Sequence, residues 1–124
     1  MSNGVNLLCD LDSHTDWVNQ IKLIETANTL VSCSNDTTIK VWRLKSNEDY
    51  LRKQASLKQQ RYNKAPTLRQ SAFSTFFDHE DYVRAMDYSK SMGRLVSASD
   101  DGKVFMWDLH VEKIIQKYSM FDEE

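Results

Sequence analysis

Glycine and proline are scarce in this 124-residue chain, with three and one, and cysteine occurs only as Cys9 and Cys33. So few glycines exclude a collagen, which needs one at every third position. The two cysteines form no CxxC and have no histidine at ligand spacing. They read as free thiols of a protein whose expected location is cytoplasmic and/or nuclear. No apolar run approaches the roughly 20 residues that cross a bilayer, and no charged-then-apolar leader opens the chain. Membrane insertion and secretion are therefore not expected.

The remaining composition, 40% hydrophobic and 27% charged, is that of an ordinary globular protein rather than a coiled coil or a disordered chain. A net charge of only −2 hides an asymmetry. Between Lys45 and Gln70, seven Lys or Arg stand against Glu48 and Asp49, a local +5 that leaves −7 for the rest of the chain.

An internal repeat organises the chain. HTDWV (14–18) returns as HEDYV (79–83), an offset of 65 residues. With that offset held and no gaps, Leu30-Val31-Ser32 falls on Leu95-Val96-Ser97, Asp36 on Asp101, and Val41-Trp42 on Met106-Trp107. Self-similarity of this kind marks a repeat architecture. After each histidine, Val18, Ile21 and Leu23, or Val83, Met86 and Tyr88, suit a strand whose alternation breaks once near its start, as at a bulge. LVSCS (30–34) and LVSAS (95–99) read as second strands, followed by polar turns. Asp101-Gly102 is a good turn because glycine takes a positive φ freely; Thr37 at the matching place predicts a different or strained turn. IKVW (39–42) and VFMW (104–107) make third strands, the latter apolar on both faces. Sheets that bury both faces against neighbouring copies are the blades of a propeller.

His14, Ser32, Asp36 and Trp42, with His79, Ser97, Asp101 and Trp107, resemble the WD-repeat family of β-propellers. In that family the four residue types form a hydrogen-bonded tetrad across one blade. The chemistry is consistent: an indole N–H needs an acceptor, a serine hydroxyl can accept it and donate to imidazole, and imidazole can donate to a carboxylate. Ser13 and Asp78 depart from the usual glycine before the histidine, and Arg43 from the usual aspartate after the tryptophan. HTDWVN, SNDTTIKVW and HEDYVRA, in that order, resemble the early blades of the WD-repeat subfamily that activates ubiquitin-specific proteases.

The expected fold is all-β, a WD-repeat β-propeller fragment of two four-stranded blades plus one strand of a preceding blade. That strand is assigned to 1–12, and the inner three strands of the first repeat to 13–44. A basic insert over 45–70 is expected as a mobile loop or short helix, with Ser46-x-x-Asp49 able to open the helix. The outer strand of the first blade follows at 71–78, the inner strands of the second repeat at 79–109, and its outer strand with the acidic end at 110–124. Propellers close with about four to eight blades. The chain is therefore expected to be a fragment of a longer protein or of a truncated gene, or else to self-associate through open blade faces.

Four functions are weighed. A Ser-His-Asp hydrolase is disfavoured because the trio occurs twice at matched spacing and no nucleophile elbow is present. No catalytic residue is assigned, and the chain is expected not to be an enzyme. His14, His79 and His110 lack clustered metal spacing, so no metal or cofactor is assigned. The basic insert could touch nucleic acid, though only Tyr50 and Tyr62 could stack on bases, and a solvated loop is preferred. Binding to protein partners is the leading expectation, with Trp17 and Tyr82 as candidate contacts, or as residues packed locally against their loop. The resemblance further implies that the partner is a ubiquitin-specific protease whose activity the protein raises.

Overall fold

The computed structural model describes residues 7–60 and 68–120. A short β1 (Asp10–Leu11) precedes β2 (Val18–Ile24), β3 (Thr29–Ser34) and β4 (Ile39–Arg43). Helix α1 (Asn47–Gln60) and β5 (Arg69–Gln70) then separate these from β6 (Ser74–Phe76). The last four strands are β7 (Val83–Ser89), β8 (Arg94–Ser99), β9 (Lys103–Asp108) and β10 (Lys113–Ser119). Two antiparallel four-stranded sheets result, β2-β3-β4-β6 and β7-β8-β9-β10. They are two blades of a propeller that is not closed.

Both inner strands break register once, between Val18 and Gln20 and between Val83 and Ala85, at the places where the apolar alternation fails. The tight turns also correspond. Thr37 and Gly102 both take left-handed backbone, φ 75° and 79°. A β-branched residue is strained there and glycine is not, so the first turn keeps the shape of the second.

The core lies between the blades. Ile24, Val31, Ile39, Val41 and Phe76 of the first pack with Val83, Met86, Leu95, Phe105 and Trp107 of the second. Phe76 stacks on Trp107 with centroids 4.5 Å apart. Polar groups fix the seam. The Asn19 side-chain amide donates to the Val83 carbonyl (2.9 Å), and the Met86 N–H donates to Gln20 Oε1 (2.9 Å).

Two segments differ from expectation. Where a mobile loop or short helix was expected, Asn47–Gln60 forms a 14-residue helix. Its poor apolar stripe hid it, yet it is rich in Lys, Arg, Gln, Leu and Ala, which favour helix on backbone grounds. Ser46 Oγ caps it by accepting from the Asp49 N–H (3.1 Å). Residues 61–67 of the insert lie outside the described residues. The segment expected as a preceding blade's outer strand, 1–12, is strand only at Asp10–Leu11, and residues 1–6 lie outside the described residues. It pairs parallel with β5, the Asp10 N–H donating to the Leu68 carbonyl (2.7 Å) and the Asp12 N–H to the Gln70 carbonyl (3.2 Å). An extended edge pairs with whatever backbone lies within reach, and here that is the end of the insert.

Candidate functional site

Each blade brings its histidine, serine, aspartate and tryptophan into one chain of hydrogen bonds. In the first, Trp42 Nε1–H donates to Ser32 Oγ (2.9 Å), and that hydroxyl lies 2.6 Å from His14 Nε2. His14 Nδ1 lies 2.8 Å from Asp36 Oδ2. A carboxylate can only accept, so Nδ1 carries the proton and Nε2 of the neutral ring accepts from serine. The second blade repeats the chain: Trp107 to Ser97 2.8 Å, Ser97 to His79 2.7 Å, His79 to Asp101 3.1 Å. Both carboxylates also bind backbone. Asp36 Oδ2 accepts from the Thr15 N–H and Asp101 Oδ2 from the Glu80 N–H, at 3.1 and 3.0 Å.

The electrostatics follow from these partners. Burial pushes the Asp36 carboxyl up, but the Thr38 hydroxyl, the His14 ring N–H and the Thr38 and Thr15 N–H groups outweigh it and hold it at about 2. Asp101 is likewise held below the usual range, burial being overcome by the Glu80 and Lys103 N–H groups and His79. Burial holds His79 below its ordinary value against the pull of Asp101. Thr38 was not singled out from sequence. Its counterpart is Lys103, so the repeat gave no signal for a hydroxyl that reaches Asp36 in the first blade alone.

The serines are inaccessible. Ser32 is 3% exposed and Ser97 0%, and each hydroxyl is already committed to tryptophan and histidine. That is a brace between strands rather than a poised nucleophile. Among the described residues no three His, Cys, Asp or Glu gather as a metal site, and His110 stands on an exposed turn. Burial pushes the Cys33 thiol up to about 11, with a backbone bond from Gln20 opposing, which makes it unreactive.

The loop that leads into each inner strand is pinned identically. The Asn35 N–H donates to the Trp17 carbonyl and the Asp100 N–H to the Tyr82 carbonyl, both at 2.9 Å. Asp16 and Asp81 each accept from the following N–H at 2.7 Å. Two aromatics are thus displayed at matching points on one rim, with different surroundings. Arg84 lies over the Tyr82 ring (5.1 Å) and is itself held by Asp100 (2.8 Å). Among the described residues no cation covers the Trp17 ring, which is 79% exposed.

Comparison with known proteins agrees with this architecture. The WD domain, G-beta repeat family matches residues 5–43 and 70–108. The WD40 β-propeller domain of Doa1 is similar in structure, with a TM-score of 0.60 and 23% identity over 88% of this chain. So is the C-terminal WD40 domain of Sif2, with a TM-score of 0.63 and 16% identity over 88%. The chain spans 29% and 24% of those two chains. The family match covers more than half of the sequence, so the chain belongs to the WD domain, G-beta repeat family, whose propellers generally serve as protein-interaction scaffolds.

Proposed function

We propose that the protein is a non-catalytic scaffold that binds a ubiquitin-specific protease and raises its activity, with Trp17 as a principal contact. The observation that carries the contact is the exposure of Trp17 on a rim whose backbone is locked. A rigidly presented, uncovered indole contributes large apolar area with little entropy to lose, as interface hot spots do. Tyr82 is the weaker candidate because Arg84 already packs on its ring. The choice of partner rests on HTDWVN, SNDTTIKVW and HEDYVRA and their resemblance to the protease-activating subfamily. The proposed setting is the cytoplasm or nucleus.

The test is co-purification of the protein with a ubiquitin-specific protease and the rate at which that protease cleaves a ubiquitin conjugate. Higher turnover that Trp17→Ala reduces would support the reading. Unchanged turnover with a folded propeller present would defeat it and leave a scaffold for another assembly.

A further inference from the structure

The basic insert contributes to neither tetrad nor rim, yet it closes a cavity of about 220 Å³ beside the first blade. Cys9, Lys45, Tyr50, Lys53, Arg69 and Gln70 form most of its wall, and among the described residues no carboxylate lines it. Three cations of the insert, Lys45, Lys53 and Arg69, therefore share one concavity. Their backbone supports are well defined. Tyr50 is buried, and its hydroxyl accepts from the Lys45 N–H (3.1 Å) and donates to Gln70 Oε1 (2.7 Å). The β1–β5 pairing holds Arg69 opposite Asp10. Among the described residues Lys45 and Lys53 make no ion pair, while Arg69 reaches Asp12 at 3.5 Å on an exposed edge.

A concavity lined by cations attracts an anion. We propose that this cavity binds a phosphate monoester dianion, with the Lys45 and Lys53 ammonium groups and the Arg69 guanidinium as its ligands. A dianion with three terminal oxygens answers three cations, whereas a single carboxylate leaves one unmatched. The guanidinium fork also suits two of those oxygens at once. Asp12 competes with the ligand for Arg69. The site is independent of the protease reading, since it lies on the insert and away from Trp17.

Two titrations at low salt, followed by backbone amide NMR, test it and distinguish the sources of the phosphate. One uses inorganic phosphate. The other uses a blocked glycine pentapeptide with one central phosphoserine, with the unphosphorylated peptide as control. Saturable shifts at Lys45, Tyr50 and Ser71 are expected with phosphate. If the phosphopeptide binds more tightly, the natural source is a phosphorylated side chain; if it is excluded, the source is a small phosphorylated metabolite. Lys45→Ala/Lys53→Ala should weaken binding by about tenfold or more, since hydrogen bonds from charged groups are lost. Asp12→Asn should strengthen it by freeing Arg69. All three positions are exposed, so these variants should retain the fold. Shifts that never saturate, or that are the same in the double variant, would overturn the proposal.

Discussion

The inner strands of the two blades carry one apolar pattern in opposite surroundings. Val83 is 0% exposed and Met86 4%, whereas their counterparts Val18 and Ile21 are 50% and 58% exposed. Leu23 is exposed and its counterpart Tyr88 half-buried. The second blade lays this stripe against the first; among the described residues no sheet lies against the stripe of the first. An apolar pattern encodes the ability to be covered, and a neighbouring sheet decides whether it is. The tetrads do not follow this difference. Trp42 and Trp107 are both essentially inaccessible, and their hydrogen bonds have nearly the same lengths.

The largest expected effect should treat the blades alike. Ser32→Ala and Ser97→Ala each leave an indole N–H and an imidazole nitrogen buried and unpaired, so each should cost about 3 kcal/mol in urea unfolding. A loss in only one blade would show that the tetrads are not equivalent braces. A sharper contrast comes next. Val83→Ala should cost about 2 kcal/mol and Val18→Ala no more than about 0.5 kcal/mol, because only the former removes buried methyl groups. Equal losses would mean that the open stripe is covered in solution.

Acid should separate the contributions by pH. Burial depresses the His79 pKa, so the stabilisation from its neutral ring is complete above about pH 6.5 and declines as pH falls below that. Asp36, lowered from 3.8 to about 2, stabilises fully above its unfolded value and loses that contribution as pH falls from about 4 to 2. That loss is on the order of 2 kcal/mol. Unfolding midpoints measured across pH should show both declines, and Asp36→Asn should remove its share of the second. The turns give a smaller effect than the tetrads or the acid steps. Thr37→Gly should stabilise by about 1 kcal/mol by relieving the left-handed backbone, while Gly102→Thr should destabilise by a similar amount. Thermal melts that move in the same direction for both substitutions would contradict the matched φ values.

Much of the blade architecture was legible because it is written at short range. Strand alternation, its interruption at the bulges and the glycine of the second turn each depend on a few neighbouring residues. Asn19 and Gln20, which tie the blades together, were not legible, since their counterparts Arg84 and Ala85 share no chemistry with them. The Phe76–Trp107 stack was hidden for a related reason: no spacing rule connects an outer strand with the next blade's third strand. Helix α1 was underread because its signal lay in backbone propensity and a serine cap, while amphipathic pattern was weak.

By itself, the sequence determined that two similar units exist, where their strands run, and which histidine, serine, aspartate and tryptophan belong to each. A 65-residue repeat places those groups within reach wherever the strands pair in register. Tertiary structure alone decided which apolar stripe is buried, which rim aromatic stays uncovered, and that Lys45, Lys53 and Arg69 share a cavity. Those outcomes depend on contacts between segments far apart in the chain, and local periodicity carries no record of them.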